Sequence, residues 1–218
     1  HDLETGAYLD ADGKPTTDSS KYVYDYDGYR LADAGRDAFA ETEFNMRETA
    51  RNQQTANTYV TFFPIEGLNL TTNYSYNSDD RRSKVYENPK VGDGAPGGRF
   101  NILSTRATTQ TLNQLISYNK DFGKHTVDVM VGHESYAYKY EYLYSMKNTE
   151  IVNGIYEFDN FVNISSVSSY TDEYKKEGYF GRLNYDYADK YYLSMSYRHD
   201  GSSRFHKDNR WGDFWSFG

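Results

Sequence analysis

From residue 57 onward apolar and polar side chains alternate with a period of two, as in strands that keep one face out of water. In GLNLTTNYSYN, Leu68, Leu70, Thr72, Tyr74 and Tyr76 share one face, while Asn69, Thr71, Asn73, Ser75 and Asn77 share the other. The stretch GYFGRLNYDYADKYYLSMSYRHD repeats the pattern twice. Gly181, Leu183, Tyr185 and Tyr187 oppose Arg182, Asn184 and Asp186; after a very short turn near Ala188 to Lys190, Tyr191, Leu193, Met195 and Tyr197 oppose Tyr192, Ser194, Ser196 and Arg198. Further strands are expected from Val60 and Phe62, from Leu112, Ile116 and Tyr118, and from Val127, Val129 and Val131, with tight turns at Pro64 to Gly67 and at the DFGK of 121–124. The full set is expected near 57–63, 67–77, 106–120, 125–145, 177–187, 190–198 and 213–218.

Short turns alternate with long polar connections near 78–104, 146–176 and 199–211. Tyr also concentrates at strand ends. A meander with tight turns at one end and long loops at the other is how transmembrane β-barrels are built, and Tyr at strand ends suits their interfacial girdles. A soluble antiparallel sandwich alternates in the same way. The expected fold class is all-β, an antiparallel meander of about seven strands forming part of a large transmembrane β-barrel with long extracellular loops. Residues 57–218 would be barrel, and residues 1–56 an extracellular loop region carrying a short helix with Leu31, Ala34, Ala38 and Met46 on one stripe. An odd number of strands leaves open edges, which hydrocarbon does not tolerate. The chain is therefore expected to be an internal segment of a larger barrel.

One strand changes phase. Its apolar positions are odd-numbered through Val131, and then Tyr136, Tyr138, Tyr140, Tyr142 and Tyr144 occupy the even ones. A bulge near Gly132 to Ser135 would reconcile the two sets. The Tyr ladder is expected above the bilayer, either packed on a neighbouring strand or lining a vestibule.

Composition narrows the function. The chain has 24 Tyr and 12 Phe but only 37% hydrophobic residues, unlike an ordinary soluble core. A net charge of −8 argues against nucleic acid as a partner. With no Cys, thiolate chemistry is excluded. No catalytic spacing emerges among the scattered histidines, and neither an enzyme activity, a cofactor nor a metal is expected. LDADGKP and YDYDGYR each carry DxDG but lack the other ligands of a calcium loop, so Asp-Gly turns are expected. Asp79 and Asp80 beside Arg81 and Arg82 read as a solvated loop.

The stretch GYFGRLNYDYADKYYLSMSYRHDGSSRFHKDNRWGDF closely resembles a barrel passage of SusC/RagA-type TonB-dependent outer-membrane transporters of Bacteroidetes, from Gly178 to about Ser216. AETEFNMRETARN, the PIEGL turn and SYNKDFGKH are more weakly similar. His206 and Trp215 depart from the usual Gly and Pro. The resemblance implies a plugged barrel in the cell outer membrane, energised by TonB through a plug segment outside these residues. It also implies a SusD-like surface lipoprotein as partner and glycans or peptides as substrate. Alternatives are a soluble carbohydrate-binding or adhesion β-module and a passive porin.

The candidate lumen-facing binding residues are Arg182, Asn184, Asp186, Tyr192, Ser194 and Arg198, with the two arginines expected to meet the plug or the substrate. Asp200, Gly201, Arg204, Asp208, Arg210 and Trp211 are expected to build a rim loop, in which Arg204, Lys207 and Arg210 pair with Asp200, Asp208 and Asp213.

Overall fold

The computed structural model describes residues 8–12, 14–16 and 38–218. Seven long strands form one antiparallel meander in sequence order: β3 (Met46–Ile65), β4 (Leu68–Glu87), β5 (Arg99–Phe122), β6 (His125–Glu150), β7 (Phe161–Tyr187), β8 (Tyr191–Ser202) and β9 (Trp211–Phe217). A separate two-stranded ribbon joins β1 (Tyr8–Leu9) to β2 (Pro15–Thr16), and a short helix α1 (Ala38–Phe44) precedes β3. All seven expected strands are present, in the expected order.

Their lengths differ from expectation. β3 reaches back to Met46 rather than starting near 57, and Met46 belongs to this strand rather than to a helical stripe. Leu31 and Ala34 of that stripe, and the DxDG of YDYDGYR, lie outside the described residues. The connections expected at 78–104 and 146–176 are largely strand, because β4 runs to Glu87, β5 begins at Arg99, β6 runs to Glu150 and β7 begins at Phe161. Segments such as SDDRRSK are polar on both faces and so show no hydrophobic alternation. Backbone pairing to neighbouring strands holds them extended regardless.

The tight turns use the residues their geometry requires. Gly67 and Gly123 have positive φ, and Ala188 and Asp189 both adopt it in the three-residue turn between β7 and β8. In LDADGKP, the Asp10 carboxylate accepts hydrogen bonds from the backbone N–H groups of Asp12 and Lys14 at 3.0 and 2.9 Å, an Asx turn closing the ribbon.

The chain divides into two compact units. One comprises the described residues up to Ala50 together with Arg82–Ser104 and Leu143–Ser168. It has a small aromatic core in which Tyr86, Phe100 and Phe161 are buried, with Met46, Ile102, Tyr156 and Phe158 packed against them. Phe100 stacks on Phe161 at 5.6 Å between ring centroids. The Tyr86 hydroxyl donates to Glu150 at 2.7 Å. Burial, and then this carboxylate neighbour, push the Tyr86 phenol well above its ordinary range.

The other unit comprises Arg51–Arg81, Thr105–Tyr142 and Ser169–Gly218, the open sheet itself. Its apolar side chains are largely uncovered: Val60 is 68% exposed, Phe217 67% and Trp215 78%. A continuous apolar sheet face of this kind is untenable in water and is what a lipid-facing wall requires.

Candidate functional site

The register of the sheet unit decides which side chains share a face. Between β7 and β8 the partners are Phe180↔Arg198, Arg182↔Ser196, Leu183↔Met195, Asn184↔Ser194, Tyr185↔Leu193 and Asp186↔Tyr192. The two polar sets therefore lie side by side on one face and the two apolar sets on the other, as the alternation predicts.

On the polar face the side chains bond to one another. Asp128 of β6 accepts from Asn184 at 3.2 Å and from Arg182 at 3.5 Å, and Ser194 donates to Asn184 at 2.9 Å. Farther along, the Arg198 guanidinium lies over the Phe180 ring at 4.9 Å. It also donates to Asp200 through two nitrogens at 2.9 Å, and Glu134 stands 3.9 Å away. Both arginines thus find carboxylate partners on the sheet itself. Of the six residues singled out from the sequence, Arg182, Asn184 and Ser194 join one network, Arg198 belongs to a second, and Asp186 pairs with Tyr192 across the strands. Sequence reasoning missed Asp128 and Glu134, which close these networks. Their even-numbered positions in HTVDVMVGHES were the available signal.

The apolar face carries two aromatic rows. In the first, His133 stacks on Tyr179 at 4.9 Å, Tyr179 lies 6.3 Å from Trp211, and Trp211 stacks on His199 at 4.6 Å with their planes 3° apart. In the second, beside the tight turn, His125 lies 4.9 Å from Tyr187 and its Nδ1 is 2.6 Å from the Tyr185 hydroxyl, with Tyr191 next in the row. Val127, Val129, Val131, Leu183, Leu193 and Met195 fill the space between. Tyr179 to Tyr187 falls within the ~9–11 residues a tilted strand needs to cross the hydrocarbon core. Paired aromatic rows around an apolar band are the interfacial girdles of a membrane barrel.

The expected bulge in β6 is absent from this arrangement. Asp128 meets Asn184, Gly132 faces the Phe180 ring, Tyr138 meets Tyr174 at 5.2 Å, and Tyr142 stacks on Tyr170 at 4.9 Å. Every one of these contacts joins even-numbered residues, so the register of β6 on β7 runs unbroken and the Tyr ladder shares the face of Asp128 and Arg182. The phase change belongs to the environment and not to the backbone. At one end the apolar residues occupy the odd face, and beyond His133 they occupy the even face. Lys176 lies over Tyr136 and Tyr174 at 5.7 and 5.6 Å, and Arg204 over Tyr174 at 4.6 Å, completing a cation-capped aromatic ladder.

The rim loop pairs differently from the sequence expectation. Arg204 reaches Asp172 of β7 at 2.6 Å rather than an acid of its own loop, and Asp200 is held by Arg198. Asp213 accepts from Tyr197 at 2.5 Å and lies 2.7 Å from His199. The strand register explains this: Arg198 and Asp200 are two apart on one face, while His199 and Asp213 are direct cross-strand partners. Trp211 sits over Gly201, where a Cβ would come within 2.7 Å of the indole ring, so glycine is what admits the stack. Ser203 ties the loop to Lys175 by a backbone pair at 2.9 Å and a hydroxyl contact at 2.8 Å. Asp208 has its own contact, 3.3 Å from His206.

Asp79 and Asp80 lie in strand β4, not in a loop, and their carboxylates point to opposite faces. Asp79 takes a two-pronged contact from Arg51 at 2.6 and 2.8 Å, and Asp80 one from Arg106 at 2.5 Å. Carboxylates on opposite faces of a sheet cannot serve one reacting bond.

No family model matches the chain. Over 88% of its length it is 28% identical to the TonB-dependent receptor P3 of Formosa agariphila, covering 20% of that protein. Over 47% of its length it is 31% identical to the TonB-dependent receptor SusC of Bacteroides thetaiotaomicron, covering 10% of it. The RagAB peptide transporter superposes on 87% of the chain with a TM-score of 0.79 at 20% identity. The chain is similar in sequence to TonB-dependent receptors, SusC among them, and shares its fold with part of the RagAB transporter. It spans about a fifth of the length of the receptors it matches across most of its own length. Its seven-stranded meander matches a portion of that transporter's barrel, a fold in which an apolar band between aromatic rows suits a lipid-facing wall.

Proposed function

We propose that this receptor segment forms part of the wall of an outer-membrane importer of glycans or peptides, energised through TonB and served by a SusD-like surface lipoprotein. The observation that carries the reading is the hydrogen-bonded network of Asp128, Arg182, Asn184 and Ser194, back to back with the girdled apolar band. In a barrel whose other face meets lipid, this face lines the lumen. A surface of paired charges and fixed hydroxyls suits a wall over which a plug or polar substrate moves, because its charges are already compensated and demand no partner from the passing group. Arg182 and Arg198 are the groups best able to contact plug or substrate, through guanidinium nitrogens that their carboxylates leave free.

The test is energised uptake and substrate binding by the full-length receptor carrying Arg182→Ala or Arg198→Ala. A role at the plug gives altered transport with near-normal binding at the outer mouth, and a substrate role gives weakened binding. If both variants bind and import like wild type, the lumen assignment of these two residues fails.

A further inference from the structure

Beyond the first aromatic row, the face of Asp128 and Arg182 changes from a polar network to a sheet of rings. On β6 and β7, Tyr136, Tyr138, Tyr140, Tyr142, Tyr170 and Tyr174 stand in adjacent rows, with ring centroids 4.9 to 6.0 Å apart across the strands. Thr105 and Thr109 of β5 stand beside Tyr140 and Tyr136 on one flank. Tyr136 lies three residues past His133 and Tyr142 nine, roughly 10 and 30 Å along the strand at ~3.3 Å per residue. Most of these rings are partly buried and Tyr170 is 53% exposed, so each keeps some ring surface open.

Charge on this stretch runs against that of the chain, whose net value is −8. Its acids stand beside arginines: Asp79 beside Arg51, Asp172 beside Arg204, and both Asp200 and Glu134 beside Arg198. Lys176 is left over. Its ammonium lies over Tyr136 and Tyr174, and among the described residues no carboxylate bonds to it. Arg81 is left over as well. The Asp80–Arg106 pair sets the register of β4 on β5, so Arg81, one residue on, falls opposite Thr105 on the face of the ladder. It acts on Asp79 through charge alone, and Arg51 already holds that carboxylate. The rings are therefore flanked by spare cationic groups, Lys176 at one end and Arg81 at the other.

A ligand suited to this surface carries anionic groups along a body that is apolar on its faces and rich in hydroxyls. Each Tyr offers an apolar ring with a polar tip, which matches the C–H face and the hydroxyls of a sugar ring. A peptide fits less well, because β6 and β7 are interior strands whose backbone groups are already paired, and no free edge is offered to an extended chain. We infer that the ladder binds acidic oligosaccharide, its rings stacking on sugar faces while Lys176 and Arg81 take uronate carboxylates. The inference rests on the lumen position proposed above for this face and adds to it the class of glycan.

The test uses the full-length receptor in nanodiscs, with binding read by isothermal titration calorimetry at several salt concentrations. The probes are oligomers of galacturonate, glucuronate and mannuronate, the neutral methyl ester of each, and oligoglutamate of equal charge. At least one uronate oligomer binds the wild type about tenfold or more tighter than its ester, because charge-assisted hydrogen bonds outweigh neutral ones, and added salt narrows the gap. Lys176→Gln and, separately, Arg81→Gln each weaken uronate binding by about threefold to tenfold and flatten its salt dependence. Tyr140→Leu weakens it while leaving the salt dependence intact. Arg106→Gln, on the opposite face, changes neither. Heat-modifiable migration on gels confirms that each variant is folded, and the contrast of acid with ester needs no variant. An ester bound as tightly as its acid overturns the inference, as do the absence of uronate binding and wild-type affinity in the folded variants. Oligoglutamate bound as tightly as every uronate gives the ladder to acidic peptide and overturns the saccharide assignment. A receptor that binds uronate on the ladder but imports neither glycan nor peptide refutes import and leaves this inference standing; one that imports while binding no uronate does the reverse.

Discussion

The two ends of the β6–β7 pair within the sheet unit are built on one register but with inverted chemistry. From Val127 to Val131 the odd-numbered side chains are Val and the even ones include Asp128, bonded to Asn184 and Arg182. From Tyr136 to Tyr142 the even-numbered side chains are Tyr, stacked on Tyr170 and Tyr174, and the odd ones include Lys139 and Glu141, paired with each other. Where the solvent on one side is lipid, apolar groups must face it. Past the aromatic row that same face turns charged, and the apolar rings move to the opposite face, where they cover one another. The crossover near His133 and Gly132 falls at the first aromatic row, and a change of phase that looks like a bulge in the sequence is a change of surroundings.

The strongest way to break this comparison is a charge on the lipid face. Leu193→Arg in the full-length receptor should cost ~2–4 kcal/mol of barrel stability, whereas Ser194→Arg, one residue along on the polar face, should cost much less. Denaturant titration of the reconstituted barrel measures both, and equal losses would contradict the register.

At the crossover itself, a Cβ on Gly132 would come within 2.4 Å of the Phe180 ring and 2.9 Å of Leu115. Gly132→Val should destabilise by ~1–3 kcal/mol through overpacking, and Phe180→Leu should recover part of that loss in a double variant. Recovery absent from the same titration would mean that Gly132 does not face Phe180.

The inward ladder gives a smaller effect. A double-mutant cycle on Tyr142→Ala and Tyr170→Ala should return a coupling of ~0.5–1.5 kcal/mol. A coupling of zero would show that the rings merely share a face.

The smallest effect belongs to the other unit, where Lys84 donates to Glu157 at 2.6 Å. That hydrogen bond first, and then the ammonium charge, hold the Glu157 carboxyl below its ordinary range. A depressed carboxyl favours the folded state above its unfolded value of about 4.3, and this contribution is lost as pH falls through the lower folded value. Lys84→Met should raise the Glu157 midpoint toward the ordinary value, as read by NMR titration, and flatten the acid side of the local stability profile measured by hydrogen exchange. An unchanged midpoint would show that the pair does not persist in solution.

Alternation in segments such as GLNLTTNYSYN and GRLNYDYADKYYLSMSYRH was enough to determine that this chain is an antiparallel meander, how its strands are ordered and which residues share a face. A period of two couples each side chain to its backbone position without reference to anything distant. The motif from Gly178 to Ser216 likewise carried the family. Strand length was not legible: SDDRRSK is polar on both faces, and only pairing with β3 and β5 holds it extended. Nor were the partners of Arg198, Arg204 and Asp213 legible, because charge proximity along a loop is overridden by cross-strand register, which brings Asp172 to Arg204 and His199 to Asp213. The meaning of the Tyr ladder was likewise left to the tertiary structure. Periodicity reports which positions are apolar, but whether such a position faces lipid, water or another ring depends on what stands across from it, and that is fixed only when the strands assemble.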